Sequence, residues 1–170
     1  LNFRCVAHKI SGDITNICVP SFPHLCDPCD ANSQCNSYGD VDNVCVNFGP
    51  GGGFCGAVCG PGKGLCPKGY SCQDFVDPDS GKSSKQCMVG KGAECTCSKA
   101  ASAEGLSTKC VAKNIYGSCA GKRECGGNGL TKCLANEPKI EDCNGIDDDC
   151  NGKTDDIGTN SVCKGNKSTF

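Results

Sequence analysis

The stretch VCVNFGPGGGFCGAV, residues 44–58, decides the fold class of this sequence. Apolar residues alternate with others on both sides of the glycine run Gly49–Gly53, and alternation with a period of two is typical of β-strands. The stretch therefore predicts two strands around a glycine-rich turn. It matches neither GxGxxG opening a helix nor GxxxxGK[ST], so the run is not predicted to bind phosphate.

The composition predicts a fold held together by disulfides. The chain has 170 residues with 20 Cys, 24 Gly, 8 Pro and no Trp, and its 37% hydrophobic content includes the cysteines. Such a chain has too few apolar side chains for one large core, so we expect about ten disulfides and no free thiol. A thiolate metal cluster is the alternative, but only Cys26 and Cys29 have C-x2-C spacing, with Cys95 and Cys97 closer still.

We predict a small disulfide-rich fold of β-hairpins and irregular loops, arranged as an elongated array of Cys-stapled modules. Its predicted sections are an N-terminal hairpin segment (1–30), a Cys-rich β-hairpin module (31–91), a Cys-rich module (92–140) and an acidic metal-binding motif with its tail (141–170).

Turn residues and apolar alternation place further elements along the chain. One hairpin is expected around Ser11-Gly12-Asp13, another around Asp77–Gly81, and one helical turn within 98–104. Three more strands are expected near Lys109–Ala112, Tyr116–Cys119 and Thr131–Leu134, separated by Gly117, Gly121 and residues 126–129.

The net charge of −2 hides a strong division of charge. Residues 81–140 carry ten basic and four acidic side chains, and residues 141–156 carry seven acids against Lys153. The basic side chains are dispersed and only Tyr116 could stack on bases, so we expect no nucleic-acid partner. No segment has the roughly 20 apolar residues of a membrane span, so none is expected.

The acidic segment carries the one recognisable chemical motif. Asp147, Asp149, Asn151 and Gly152 follow the D-x-[DN]-x-[DN]-G opening of a calcium loop. In that pattern Lys153 offers its backbone carbonyl and Asp155 stands at position 9. The predicted metal ligands are therefore Asp147, Asp149, Asn151, Lys153 and Asp155, and their oxygen atoms favour Ca²⁺ over zinc or copper.

The motif is not a complete EF-hand. Position 12 is Gly158 instead of a bidentate Glu, and no flanking helices are predicted. A missing ligand could come from Asp156, Glu141, another carbonyl or water. A bridge between Cys143 and Cys150 would bring the first carboxylates together.

Residues 143–152, CNGIDDDCNG, followed by Asp155 and Asp156, resemble a known short metal-binding motif. This MopE-type motif occurs in exported surface proteins of Gram-negative bacteria such as myxobacteria, and it is named after a surface copper-binding protein of methane oxidisers. The Cys-rich stretches 66–72 and 117–133 look like those that precede the motif in such proteins. The resemblance implies an exported bacterial surface protein with no shared enzymatic activity. The copper is not implied here, because His8 and His24 lie far from the motif in sequence.

No enzyme is predicted. Neither histidine lies in a recognisable catalytic signature, and a His8–Cys5 pair would need a free thiol. The predicted function is that of a secreted, extracellular structural or adhesive protein at the cell surface, which assembles with other surface proteins or with itself. The alternative is a soluble disulfide-rich binding protein, such as a protease inhibitor or a toxin-like effector.

Overall fold

The computed structural model describes residues 3–10, 12–90, 92–157 and 161–162. About 40% of it is β-strand, which confirms the predicted fold of hairpins and irregular loops. The strands are β1 (Phe3–Ile10), β2 (Asp13–Pro20), β3 (Pro28–Cys29), β4 (Cys45–Asn47), β5 (Gly53–Cys55), β6 (Ala57–Val58), β7 (Tyr70–Val76), β8 (Ser83–Val89), β9 (Ser107–Lys113), β10 (Ser118–Gly126), β11 (Gly129–Leu130), β12 (Asp156–Ile157) and β13 (Ser161–Val162).

Three short helical segments complete the described elements. Two are 3-10 turns, Asn32–Cys35 and Gly49–Gly51. The third is helix α1, Lys99–Glu104, which confirms the predicted helical turn. The Ser98 side chain accepts a hydrogen bond from the Ala101 N–H at 3.0 Å, and Gly105 ends the helix with φ of +62°.

The N-terminal hairpin pairs β1 with β2 antiparallel, as predicted. Cys5 and Cys18 lie directly opposite each other in the register and are bridged. Gly12 takes φ of +99° in the turn, while Ser11 lies outside the described residues.

Strands β4 and β5 pair around the glycine-rich turn, and β3 pairs with β5 to complete the sheet β3-β5-β4. Val46 pairs with Phe54, and each side chain is only 5% exposed. At Gly53 an added Cβ would lie 2.6 Å from the Cys29 carbonyl oxygen and 2.8 Å from Cys45 Sγ. The glycine therefore allows the close approach of a neighbouring strand and a disulfide.

A second sheet has the order β6-β8-β7 and contains the predicted hairpin around Asp77–Gly81. Asp77 holds that turn, because its carboxylate accepts hydrogen bonds from the Asp79 N–H, the Ser80 hydroxyl and the Asn32 amide. The hydrogen bonds from Asp79 and Ser80 outweigh burial and lower the pKa of Asp77.

A third sheet has the order β11-β10-β9. The strand expected near Thr131–Leu134 is wrong: β11 ends at Leu130, and Leu134 makes only an isolated bridge with Lys122. Gly121 does not separate strands either, because it lies inside β10 where a Cβ would meet the Leu134 carbonyl at 2.6 Å.

The cysteines described by the structure are all bonded, as predicted, and Cys143 is among them. The nine bridges with both partners described are Cys5–Cys18, Cys26–Cys95, Cys29–Cys45, Cys35–Cys55, Cys59–Cys72, Cys66–Cys87, Cys97–Cys125, Cys110–Cys133 and Cys119–Cys150. The proposed Cys143–Cys150 bridge is wrong, because Cys150 turns toward β10 with φ of +59° and pairs with Cys119.

Disulfides replace most of a conventional core. Cysteines make up most of the buried hydrophobic residues, and the buried clusters form around them with Phe54 and Ala57. The Cys26–Cys95 bridge closes a sequence separation of 69 residues. In the chain-entropy model such a bridge stabilises the fold by about 4 kcal/mol.

Among the described helices, none is long and apolar enough to cross a membrane.

Candidate functional site: the acidic loop

The acidic loop, residues 141–156, is fastened to the β9–β10 hairpin. The Cys119–Cys150 bridge joins the loop to β10. The turn of the hairpin also packs on it, because a Cβ at Gly117 would collide with the Asp149 carbonyl oxygen. Nearby, the Asn114 amide donates to the Pro138 carbonyl at 2.6 Å. The loop is therefore held by a rigid hairpin as well as by its own chain.

Glu141 organises the loop from within. Its side chain is only 8% exposed. One carboxylate oxygen accepts the backbone N–H groups of Asp148 at 2.6 Å and Asp149 at 2.9 Å. The other accepts the Asp155 N–H at 2.7 Å. One buried carboxylate thus joins two separate parts of the loop through charge-assisted hydrogen bonds.

Asp148 is the second buried carboxylate of the loop, with 7% exposure. It accepts hydrogen bonds from the Asn144 amide at 2.9 Å and the Asp142 N–H at 3.2 Å, and Lys139 Nζ lies 3.4 Å away. Burial acts to raise the pKa of Asp148, but the two hydrogen bonds and the Lys139 ammonium group together hold it below its usual value. Asp148 therefore remains charged and structural.

The D-x-D-x-N-G residues form a tight turn. The Asn151 N–H donates to Asp147 at 3.1 Å and to Asp149 at 3.0 Å, and the Gly152 N–H donates to Asp147 at 2.9 Å. The Asn151 side-chain amide donates to Asp149 and Asp156, both at 3.0 Å. Gly152 has φ of +91°, which explains the glycine at this position of the motif.

Three carboxylates converge beside this turn. Oxygen atoms of Glu141, Asp149 and Asp156 lie within 4.8 Å of one another. Two charges at this distance repel by about 1 kcal/mol in bulk water and by several times more near a protein surface. An all-oxygen group of this kind suits a hard cation such as Ca²⁺.

The structure places the five predicted ligands in different settings. Asp147 and Asp149 face the same Asn151 N–H, and Asp149 belongs to the group of three carboxylates. Asp155 is turned to the Asn144 and Gly145 N–H groups, at 3.1 and 3.0 Å. The Lys153 N–H donates to the Asn151 side-chain oxygen at 2.9 Å.

The sequence predicts Glu141 and Asp156 only as substitutes for a missing ligand, yet both side chains converge with Asp149. Asp156 could have been recognised because it follows Asp155 in the motif. Glu141 lies outside the D-x-D-x-N-G spacing, so no signal in that pattern points to it.

His24 lies in a different polar group. Its Nδ1 is 3.4 Å from a carboxylate oxygen of Asp27, which is only 1% exposed. Both Asp27 oxygens lack a hydrogen-bond donor within the described chain. The buried Asp27 also lies near Tyr70, and burial together with the negative charge of Asp27 raises the pKa of the Tyr70 hydroxyl.

No family model matches the sequence, and no curated protein or solved structure is detectably similar to it.

Proposed function

We propose that this chain is an extracellular structural or adhesive protein of a surface or filamentous assembly, and that calcium stabilises its acidic loop. The observation that carries the proposal is the convergence of Glu141, Asp149 and Asp156 in a loop fastened by a disulfide. The bridges suit an oxidising, extracellular environment.

Calcium would relieve the repulsion among these carboxylates. The ion takes six to eight oxygen ligands, and the proposed set is Asp147, Asp149, Asn151, the Lys153 carbonyl and Asp155, with Glu141 and Asp156 as further carboxylates. Because the loop lacks the position-12 Glu, the site is expected to be weak, with Kd of about 10⁻⁴–10⁻³ M, as in extracellular modules.

The density of bridges supports a structural role. Cys26–Cys95 joins the N-terminal region to the region of α1, and Cys119–Cys150 joins β10 to the acidic loop. Covalent links of this kind between distant segments keep a protein folded where proteases and mechanical load act on it. A small soluble binding protein, which is the alternative, needs only one rigid binding loop.

Calorimetry with millimolar calcium tests the cation site. The wild type and Asp79→Asn, which alters an exposed carboxylate outside the loop, should give the same binding heat. Asp149→Asn removes one charge from the convergent group and should weaken binding at least about tenfold, as expected for a lost carboxylate ligand. Equal heats in all three proteins, or none in any of them, would show that the segment is only an acidic turn.

Fractionation of producing cells tests the assembly. The protein should be recovered mainly with the cell surface or in a sedimentable assembly under non-reducing conditions. Recovery only as a freely diffusing monomer from the culture fluid would refute the assembly and favour the soluble binding protein. The two experiments are independent, since either outcome of one is compatible with either outcome of the other.

A further inference from the structure

The sequence contains three Asn-Gly pairs, at Asn128, Asn144 and Asn151. Asn followed by Gly is the sequence most prone to deamidation, because glycine leaves the backbone nitrogen unhindered. We propose that Asn128 is a site of spontaneous deamidation in the folded protein and that the acidic loop protects Asn144 and Asn151. This inference does not depend on calcium binding.

The reaction is intramolecular and needs only water. The Gly129 backbone nitrogen attacks Cγ of Asn128, a new N–C bond forms, and the bond from Cγ to Nδ2 breaks. Ammonia leaves with the proton that the backbone nitrogen gives up, and a succinimide ring remains. Water then opens the ring at either carbonyl and gives aspartate or isoaspartate. No electrons are transferred to or from the protein.

Hydrogen bonds hold both reacting groups of Asn144. Its side-chain oxygen accepts the Ile146 N–H at 2.7 Å, and its amide nitrogen donates to Asp148 at 2.9 Å. The attacking nitrogen, in Gly145, donates its proton to Asp155 at 3.0 Å. Cyclisation at Asn144 therefore requires the loop to open first.

Asn151 is held in the same way. Its amide nitrogen donates to Asp149 and Asp156, and its oxygen accepts the Lys153 N–H at 2.9 Å. The Gly152 N–H donates to Asp147 at 2.9 Å. These hydrogen bonds shape the predicted cation site. They also protect Asn151, one of the predicted ligands, from deamidation.

Asn128 has none of these restraints on its side chain. It is exposed in the turn between β10 and β11, and its side chain makes no hydrogen bond with any described residue. Glycines stand on both sides of it, at Gly127 and Gly129, so no neighbouring side chain hinders the reaction. The attacking nitrogen, in Gly129, belongs to the last pair of the β10–β11 ladder, so cyclisation needs only the end of a two-residue strand to open, whereas Asn144 and Asn151 need the acidic loop to open. Deamidation there adds a negative charge to the basic region, and isoaspartate adds one methylene to the backbone.

Peptide mapping by mass spectrometry tests the proposal on the disulfide-intact protein, aged at mildly alkaline pH with a calcium chelator. The peptide containing Asn128 should gain about one dalton at least about tenfold faster than those containing Asn144 and Asn151, which corresponds to a local opening free energy above about 1.4 kcal/mol. In the reduced, alkylated and denatured chain the three sites should react at similar rates. Asn128→Gln should remove the early mass gain.

A second variant tests the protection itself. Glu141→Ala, which removes the acceptor of three loop N–H groups, should accelerate deamidation at Asn144 and Asn151 and leave Asn128 unchanged. In the folded wild type, reaction at Asn144 or Asn151 as fast as at Asn128, or equal resistance of all three, would overturn the proposal.

Discussion

Replacing Glu141 by alanine should open the acidic loop without unfolding the rest of the protein. The carboxylate accepts three backbone N–H groups, from Asp148, Asp149 and Asp155. A hydrogen bond to a charged group contributes about 1.5–3 kcal/mol, and a buried donor left without a partner costs about 1–3 kcal/mol. Water can reach the half-buried Asp149 and Asp155 amides once the loop loosens, so we expect a net local loss of about 3 kcal/mol.

Amide hydrogen exchange measures this loss directly. Because 1.4 kcal/mol is a factor of ten, the Asp148, Asp149 and Asp155 amides should exchange about a hundredfold faster in Glu141→Ala. Glu141→Gln keeps an acceptor oxygen and should show a smaller increase. Glu137→Ala removes an exposed carboxylate four residues away and should show none. Unchanged exchange of the three amides in Glu141→Ala would refute the role of Glu141.

Two further predictions concern other buried carboxylates. Because the pKa of Asp77 is lowered from its usual 3.8, its contribution to stability is complete above that value and is lost as the pH falls through the lower folded-state value. Denaturant unfolding with intact disulfides should therefore show a steeper loss of stability below pH 3.8 in the wild type than in Asp77→Asn, and parallel pH profiles would contradict this. His24 Nδ1 is the polar atom beside the buried Asp27 carboxylate, at 3.4 Å, so His24→Ala should lower the free energy of unfolding by about 1–2 kcal/mol, since it leaves that carboxylate without this neighbour. Asp27→Asn in the His24→Ala background should recover part of that loss, and no recovery would show that the cost lies in packing.

The hairpins could be predicted from the sequence because their signals are local. Turn residues at Gly12, Gly49–Gly53 and Asp77–Gly81 fix where strands reverse, and alternation fixes which residues are strands. The helix-forming composition of residues 98–104 likewise predicts α1. The strand expected near Thr131–Leu134 does not form, because after Leu130 the backbone of the segment meets the β10 backbone only through the Thr131 N–H bond to Glu124 and the isolated Lys122–Leu134 bridge.

The disulfide pairing could not be predicted because it depends on distant contacts. Cys143 and Cys150 are close in sequence, but the positive φ of Cys150 directs its side chain to Cys119, 31 residues earlier. Similarly, the motif predicts the alternating residues of the acidic turn but not Glu141. The buried Glu141 carboxylate acts by accepting the backbone N–H groups of Asp148 and Asp155, which are distant from it in sequence. The D-x-D-x-N-G spacing describes a single turn. The three converging carboxylates, of Glu141, Asp149 and Asp156, come from separate parts of the loop.

The Cys119–Cys150 bridge also determines how the protein would respond to a pulling force. Tension applied at Asp156 passes through the sulfur atoms directly to β10, so the segment enclosed between the two cysteines bears none of it. With a separation of 31 residues, about 100 Å of extended chain cannot be drawn out while the bridge is intact. Reduction of this bridge alone would free only the chain after Cys133, because Cys97–Cys125 and Cys110–Cys133 still close the earlier part of the segment. The acidic loop lies within the freed part and would then be the first to yield.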